Sequence, residues 1–262
     1  MSKLSSQHSV PGWRMLGKSA LVTGAGRGIG AAIARRLSAE GAWVACVDLK
    51  EVSVTAVVET LPSAGLALAA DVSDEAAVQK IMEKITAVRG SLDVLVNNAG
   101  IAGPQTPVDT TPLSEWRRTL DVNLTGPFLT CKYALPMLLK AKGCIVNVAS
   151  ALALVAKTDE AAYHASKAGL VHLSRTMALD YAGRVRVNCV CPGAVRTPMI
   201  ESVLPPGTDT EHALAEYGRI HPLHQRLAYP EEIASAVLFL ASEDASLITG
   251  AAMPVDAGFS AA

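Results

Sequence analysis

Residues 18–30 of the chain read KSALVTGAGRGIG, and this stretch decides the fold. Its first half is an apolar run of strand length, and its second half is rich in glycine. Glycine lets the backbone turn sharply and approach a pyrophosphate closely, and the N-terminus of a following helix offers free N–H groups to a phosphate. The order strand, glycine loop, helix therefore predicts a dinucleotide-binding site formed by Gly24, Arg27, Gly28, Ile29 and Gly30.

Short apolar strands continue along the chain, and amphipathic helices separate them. We predict strands at residues 18–24, 42–48, 65–71, 92–97, 144–150, 185–191 and 251–256. This alternation predicts an α/β fold: a single Rossmann-type, doubly wound parallel sheet of about seven strands, with helices on both faces. Residues 1–262 then form one dinucleotide-binding and catalytic domain. Residues 1–15 are expected to be a loose N-terminal tail, and the long irregular segment 192–229 a substrate lid.

The predicted helices follow the periodicity of apolar residues. They cover about ten residues after Glu51 and residues 28–40, 73–89, 113–140, 161–182, 210–220 and 231–242. Ser73 is expected to cap its helix. The stretch 113–140 is expected to be interrupted at Gly126-Pro127 and again at Pro136, because proline removes a helical hydrogen bond.

Composition and charge exclude several classes of function. Half of the 262 residues are hydrophobic, and the formal net charge of −1 offers no basic excess for nucleic acid or an anionic membrane. No apolar stretch is long enough to span a bilayer. The five cysteines show no metal or redox spacing, so we expect buried thiols in a reducing cytoplasm. The histidines show no metal-binding motif either, and His221 and His224 are expected to lie in a solvated loop.

Asp48 ends the second predicted strand, about twenty residues after the glycine loop. A carboxylate at that position accepts hydrogen bonds from the hydroxyl groups of the adenosine ribose and repels a 2′-phosphate. Arg27 acts in the opposite sense, since a cation beside the loop attracts that phosphate. Because Asp48 would contact the ribose directly, the sequence favours NAD as the cofactor over NADP.

Tyr163 and Lys167 are four residues apart on one predicted helix and therefore share one face. The unperturbed pKa of tyrosine is near 10, too high for a base at neutral pH. A cation about 4 Å away interacts with a phenolate by roughly 4 kcal/mol at an effective dielectric constant of 20, which predicts that Lys167 lowers the pKa of Tyr163. Ser150 ends the fifth predicted strand, at the edge where open α/β sheets bind ligands.

Together these residues resemble the short-chain dehydrogenase/reductase family, from about Leu16 to Phe259. The motifs that carry the resemblance are specific in combination. They are TGxxxGxG at 23–30, NNAG at 97–100, Asn123, Ser150, YxxxK at Tyr163 and Lys167, and Pro192-Gly193 followed by Val195 and Thr197. The resemblance implies hydride transfer between a nicotinamide cofactor and a carbon that carries an alcohol or ketone.

The resemblance also implies a role for each position. Tyr163 is the general acid/base, Ser150 fixes the substrate oxygen, and Lys167 binds the nicotinamide ribose. Asn123 holds a water that relays protons, for which a helix broken at Gly126-Pro127 would leave a backbone carbonyl free. The resemblance implies further contacts with the cofactor. Asp71 and Val72 are expected at the adenine, and Asn98, Ala99 and Gly100 at the ribose. Thr197 is expected at the carboxamide, with Pro192, Gly193 and Val195 beside it.

Three functions remain open from the sequence. The leading one is an NAD-dependent oxidoreductase of a small, neutral or cyclic secondary alcohol or ketone, because the predicted pocket residues are mainly apolar. The second is an NADPH-dependent reductase of 3-oxoacyl thioesters on acyl carrier protein, against which Asp48 counts. The third is a non-catalytic nucleotide-binding regulator. The resemblance implies a homotetramer with residues 231–259 at one interface; no metal, nucleic acid or membrane partner is expected.

Overall fold

The computed structural model describes residues 13–204 and 207–261 of the chain. The strands are β1 (Ser19–Thr23), β2 (Trp43–Asp48), β3 (Gly65–Ala69), β4 (Val94–Asn97), β5 (Cys144–Val148), β6 (Arg186–Pro192) and β7 (Ala252–Val255). They form one parallel sheet in the order β3-β2-β1-β4-β5-β6-β7. The predicted fold class is confirmed, and all seven predicted strands are present with small shifts at their ends.

The helices cover both faces of this sheet. They are α1 (Gly28–Ala39), α2 (Glu51–Val58), α3 (Glu75–Arg89), α4 (Leu113–Leu120), α5 (Gly126–Ala141), α6 (Ala161–Asp180), α7 (Pro198–Glu201), α8 (Thr210–Arg219) and α9 (Pro230–Ala241). Ile33 of α1 and Leu238 of α9 belong to the core on one face. Ile85 of α3, Leu138 of α5 and Met177 of α6 belong to the core on the other. No helix among the described residues is long and apolar enough to cross a membrane.

Strand order places the functional edge of the sheet. Chain progress runs outward from β1 through β2 to β3, and it runs in the opposite direction from β4 to β7. The helices on either side of this reversal diverge and leave a crevice at the carboxyl ends of β1 and β4. The glycine loop follows β1, and the NNAG motif of residues 97–100 begins at the end of β4.

The predicted interruptions of the helix at 113–140 were wrong in position. A π-helical turn at Asp121–Thr125 joins α4 to α5, so the irregularity lies before Gly126 rather than at it. Pro127 stands in the first turn of α5, directly after the π-helical turn, and does not end the helix. Pro136 lies inside α5 without ending it, and the buried Leu138 holds the last turn against the core.

Two local predictions near the chain's beginning also differ from the structure. Asp74, not Ser73, caps α3: its carboxylate accepts a 2.9 Å hydrogen bond from the N–H of Ala76. Most of the predicted tail, residues 1–12, lies outside the described residues. The described part packs against the domain. The side chain of Met15 is buried and extends the core, and its N–H donates to the carbonyl of Glu40 at 2.9 Å.

Candidate active site

A cavity of about 910 Å³ opens at the carboxyl ends of the strands. It brings together all the sequence-predicted site residues except Gly30 and Asn123, which lie beneath its surface. The cofactor-binding candidates that line it are Gly24, Arg27, Gly28, Ile29, Asp48, Asp71, Val72, Asn98, Ala99, Gly100, Pro192, Gly193, Val195 and Thr197. Ser150, Tyr163 and Lys167 line it too. The sequence therefore predicted one continuous site rather than scattered residues.

The glycine loop is a closely packed cradle. A Cβ atom at Gly30 would lie 2.1 Å from the carbonyl oxygen of Gly24, so only glycine fits at the start of α1. Gly24 itself has φ +64°, in the left-handed region that favours glycine. The first turn of α1 can thus sit directly against the loop, with its free N–H groups directed at the cavity.

Asn98 supports this loop from the neighbouring strand end. Its amide nitrogen Nδ2 donates to the carbonyl oxygens of Thr23 at 3.0 Å and Gly24 at 3.1 Å. Both amide hydrogens are therefore engaged by the loop, and the contact expected with a cofactor ribose is left to the amide oxygen or the backbone. Thr23 completes the link, since its Oγ1 accepts the N–H groups of Asn98 and Ala99. The sequence analysis assigned no role to Thr23.

Asp48 occupies the mouth of the cavity beside the loop. Its Oδ2 accepts the N–H of Gly26 at 3.0 Å, and its Oδ1 accepts the N–H of Leu49 at 2.7 Å. These two bonds fix the carboxylate and leave each oxygen with a further lone pair. A Cβ atom at Gly26 would lie 2.9 Å from Oδ2, so this close approach also depends on glycine. Asp48 can accept hydrogen bonds from a diol at this point.

Ser150 and Tyr163 meet at the opposite end of the cavity. Ser150 follows β5 with an extended backbone, and its Oγ accepts the N–H of Leu152 at 3.2 Å. Tyr163 is in the first turn of α6 and lines the cavity together with Ser150. Burial raises the pKa of Tyr163, and the nearby Ser150 side chain offsets this in part. Tyr163 is thus held as a neutral phenol by the protein's own groups.

Lys167 lies one turn further along α6 and is almost fully buried. Its Nζ donates a 2.9 Å hydrogen bond to the carbonyl oxygen of Val148 and lies 5.7 Å from the centroid of the Tyr163 ring. Burial lowers the pKa of Lys167 to about 8. The prediction that Lys167 lowers the pKa of Tyr163 is not met by the protein alone, because burial disfavours both charges and Nζ is bonded to Val148.

Asn123 sits in the π-helical turn and is fully buried. Its Oδ1 accepts the N–H of Ile101 at 2.8 Å, and its Nδ2 donates to the carbonyl of Ile101 at 2.9 Å and to Ser166 Oγ at 3.1 Å. Ser166 Oγ in turn donates to the carbonyl oxygen of Tyr163 at 2.7 Å. Asn123 therefore links the loop after β4 to the turn of α6 that carries Tyr163.

The expectation of a solvated loop around His221 was wrong. His221 is 2% exposed, and its Nε2 accepts the N–H of Ala194 at 2.9 Å. Its Nδ1 must therefore carry the proton, and it donates to the carbonyl of Tyr217 at 3.0 Å. The ring also packs on Phe259, with centroids 5.5 Å apart. The imidazole thus fastens the segment after α8 to the end of β6 and to the C-terminal turn, while His224 is exposed as expected.

The predicted apolar pocket also has charged side chains in its lining. Lys157 and Glu160 line the cavity near Tyr163, and their side chains form an ion pair with Nζ 2.9 Å from Oε1. Leu152, Met199 and Ile200 supply the apolar lining that the sequence indicated. The ion pair was not predicted from the sequence, because two charged residues in a loop are usually exposed to solvent.

Comparison with known proteins agrees with this geometry. A family described as "Enoyl-(Acyl carrier protein) reductase" matches residues 24–260. The chain is 43% identical over 246 residues to a meso-2,3-butanediol dehydrogenase of Serratia marcescens, covering 93% of this chain and 95% of the relative. It is 42% identical over 247 residues to a cis-4-hydroxycyclohexanecarboxylate dehydrogenase of Sinomonas cyclohexanicum, covering 92% and 96%.

A solved structure is similar over the same extent. The ligand-free aldohexose dehydrogenase of Thermoplasma acidophilum superposes with a TM-score of 0.88 at 36% identity, over 96% of this chain and 97% of that one. With the glycine cradle and the Ser150–Tyr163–Lys167 group in place, the chain belongs to the short-chain dehydrogenase/reductase family. It is an oxidoreductase that acts on secondary alcohols or ketones through a nicotinamide cofactor.

Proposed function

We propose that the chain interconverts a small, neutral secondary alcohol and its ketone, and that it uses NAD(H) rather than NADP(H). The proposal rests on one observation: a single cavity joins the residues suited to bind a dinucleotide to the residues suited to catalysis. Asp48 and the glycine cradle lie at one end, and the neighbouring Ser150 and Tyr163 lie at the other. A cavity of about 910 Å³ is large enough for a dinucleotide together with a small substrate.

The residues present fit a dinucleotide. The atoms of Gly24 and Gly30 approach so closely that a phosphate can reach the N-terminus of α1. Asp48 accepts the ribose hydroxyls with its remaining lone pairs, and its charge disfavours a 2′-phosphate. Arg27 is exposed beside the loop and offers only a solvated cation against that preference. Asp71 and Val72 line the cavity where they would flank the adenine, and Lys167 with Asn98, Ala99 and Gly100 would hold the nicotinamide ribose.

Tyr163 moves the proton in the proposed mechanism. The nicotinamide ring supplies or accepts the hydride. Ser150 donates a hydrogen bond to the substrate oxygen and holds it beside the Tyr163 hydroxyl. Tyr163 delivers its proton to the ketone oxygen during reduction and takes it back from the alcohol during oxidation. Its raised pKa supports the acid role at neutral pH, and Lys167 Nζ lies 5.7 Å from the centroid of the ring on which reduction leaves a phenolate.

Asn123 takes part through position rather than through direct contact with substrate. Its side chain is fully engaged between Ile101 and Ser166, and Ser166 bonds the carbonyl of Tyr163. We therefore assign Asn123 to holding the Tyr163 turn in register with the loop after β4. The proton-relay water that the family resemblance implies remains part of the proposal. Asn123 lies in the π-helical turn, which is the irregular part of this helix.

The segment 192–229 acts as the substrate lid in this proposal. The backbones of Val195 and Ala228 pair in an isolated bridge, which closes the segment into a loop over the cavity. Met199, Ile200 and Val203 of the loop line the cavity with apolar side chains. The substrates named for the relatives, a butanediol, a hydroxycyclohexanecarboxylate and an aldohexose, are all small secondary alcohols, which supports a compact pocket.

We further propose a homotetramer in the cytoplasm. β7 is one of the two edge strands of the described sheet, and an edge strand with unpaired backbone groups suits contact with a second copy through residues 231–259. The five buried, unpaired thiols are compatible with a reducing compartment. Sedimentation velocity tests the oligomer directly, and a monomer at micromolar concentration would overturn this part of the proposal.

Absorbance at 340 nm tests the function. Secondary alcohols and ketones, including cyclic ones, are each assayed with NAD(H) and with NADP(H), beside 3-oxoacyl thioesters. We expect turnover of small alcohols with NAD. Turnover restricted to acyl thioesters with NADPH would replace the proposal by the acyl carrier protein reductase. Tight NAD binding without turnover of any compound would replace it by a nucleotide-binding regulator.

A further inference from the structure

The charged wall of the cavity is built from three side chains. Lys157 precedes α6, Glu160 is its N-cap residue, and Tyr217 comes from α8 in the lid segment. The Lys157 Nζ lies 2.9 Å from Glu160 Oε1 and 5.5 Å from the centroid of the Tyr217 ring. All three residues line the same cavity as Ser150 and Tyr163. We call this group the Lys157–Glu160 wall.

Glu160 is held in place although it is nearly buried. Its backbone pairs with that of Thr106 in an isolated bridge, which draws the carboxylate in from solvent. One oxygen, Oε1, accepts from Lys157. The other, Oε2, has His164 Nε2 at 3.9 Å, which is longer than a hydrogen bond. Among the described residues no donor is within hydrogen-bond distance of Oε2, which therefore keeps acceptor capacity for a group that enters the cavity.

Lys157 supplies the complementary group. Its ammonium has three hydrogens, of which Glu160 takes one. The carboxylate of Glu160 raises the pKa of Lys157 against the effect of burial, so the cation persists. Counting only bonds among the described residues, the wall thus presents an N–H donor on the partly exposed Lys157 and an oxygen acceptor on Glu160, and the two formal charges cancel.

This combination selects one kind of ligand group. A hydroxyl both accepts and donates, so it can bond Lys157 and Glu160 at the same time. A carboxylate is attracted by Lys157 but repelled by Glu160 at nearly the same distance. An alkyl group would displace water from both charges without replacing the hydrogen bonds. A neutral hydroxyl is therefore the group that fits best.

We propose that the Lys157–Glu160 wall is a second substrate subsite that binds a hydroxyl group away from the reacting carbon, so that the preferred substrates are neutral diols, polyols or hydroxyketones. The inference rests on the proposed function, because it takes Ser150 and Tyr163 as the site of the reacting oxygen. It narrows the substrate class from secondary alcohols in general to those with a second hydroxyl group that can reach the Lys157–Glu160 wall.

Steady-state kinetics with a matched set of alcohols tests the proposal. Butan-2-ol, butane-1,3-diol and 3-hydroxybutanoate share the reacting carbon and differ in carrying a methyl, a hydroxymethyl or a carboxylate group; butane-2,3-diol tests the vicinal arrangement. Separate enantiomers are assayed with NAD. We expect kcat/KM for the better diol to exceed that for butan-2-ol by roughly tenfold to a hundredfold, as hydrogen bonds to charged groups provide.

Variants assign the preference to the wall. Lys157→Met and Glu160→Gln should each lower the diol-to-butan-2-ol ratio by roughly tenfold or more, mainly through KM, whereas Lys157→Arg, which keeps donors, should retain most of it. Glu160→Gln should also raise the relative rate with 3-hydroxybutanoate, because it leaves the charge of Lys157 unbalanced. Far-UV circular dichroism checks that each variant is folded, and Lys140→Met, an exposed change on α5, is the matched control.

The outcomes separate the two proposals. Turnover of the alcohols without a diol preference, an equal loss with all alcohols in the variants, or a wild-type preference for 3-hydroxybutanoate overturns the subsite and leaves the proposed function standing. Failure of the wild-type enzyme to oxidise any alcohol or reduce any ketone overturns the proposed function, and the subsite with it.

Discussion

Lys167 and Tyr163 lie one helical turn apart, with Nζ 5.7 Å from the ring centroid, yet the ammonium bonds the carbonyl of Val148 rather than the phenol. Burial acts on both groups in opposite directions: it lowers the pKa of Lys167 to about 8 and raises that of Tyr163. Each group is thereby pushed towards its neutral form. A charge introduced near the pair would therefore change the pKa of both groups.

Stability should depend on pH through Lys167. Its pKa falls from 10.5 to about 8 on folding, so the unfolded chain binds more protons between these values, and the folded state gains stability as pH rises. The penalty is fully present below pH 8. We expect the wild-type free energy of unfolding to rise by about 1 kcal/mol relative to that of Lys167→Met between pH 7 and pH 9. Urea unfolding at several pH values, without added cofactor, measures this difference.

The matched control is Lys140→Met, which removes an exposed lysine from α5 and should leave the pH dependence as in the wild type. Burial raises the pKa of the folded-state cysteines to about 11 or 12, above the pH range of the comparison, so their titration cancels although Lys167 lowers the pKa of Cys189 and Cys191. Parallel curves for wild type and Lys167→Met would contradict the lowered pKa.

Tyr163→Phe should lower kcat/KM by roughly 10²- to 10⁴-fold, the usual contribution of a positioned acid/base. Cofactor binding, measured by NADH fluorescence, should stay close to that of the wild type because the ring remains in place. Tyr181→Phe, at the other end of α6, is the control and should keep full activity. A Tyr163→Phe enzyme with near-normal turnover would remove Tyr163 from the mechanism.

Asp48→Ala should reduce the preference for NAD over NADP by roughly tenfold to a hundredfold, since hydrogen bonds to a charged group are lost with one cofactor and repulsion of a phosphate is relieved with the other. The ratio of the two kcat/KM values is the measurement. Glu51→Ala, an exposed acidic residue in the first turn of α2, is the control for the change in charge. An unchanged ratio in Asp48→Ala would show that another group reads the ribose.

His221→Phe should destabilise the lid side of the cavity by roughly 1–3 kcal/mol, because the ring volume is kept while the bonds to Ala194 and Tyr217 are lost. The N–H of Ala194 would then lack its partner, and we expect a lower melting temperature together with a higher KM for the alcohol. His224→Phe, on the exposed part of the same segment, should change neither quantity. Equal effects of the two substitutions would mean that His221 has no special hold on the segment.

The strands and the glycine loop were predictable because their signals are local. A buried parallel strand reads as a continuous apolar run, as in Cys144–Val148, and the spacing of Tyr163 and Lys167 fixes their shared helix face. Ser150 could be placed because it follows such a strand directly. These residues need no knowledge of distant partners.

The missed features depend on contacts between distant parts of the chain. His221 is buried by Ala194 and by Phe259, and nothing in the sequence around residue 221 indicates either partner. Glu160 is drawn into the cavity by pairing with Thr106, so a loop carboxylate that looked solvated became part of the pocket. The lining of the substrate pocket, and with it the substrate preference, therefore cannot be predicted from local sequence patterns.

The π-helical turn at Asp121–Thr125 makes the length of this helix as constrained as its side chains. A π turn closes its hydrogen-bonded ring one residue later than an α-helix, so the stretch from α4 to α5 holds one residue more than a regular helix over the same path. Deleting one residue there would allow a regular α-helix over the same path, in which the wide turn that carries Asn123 no longer exists. Asn123 would lose its hydrogen bonds with Ile101 and Ser166. The site would then be disrupted by a change in the number of residues, although none of its side chains had been replaced.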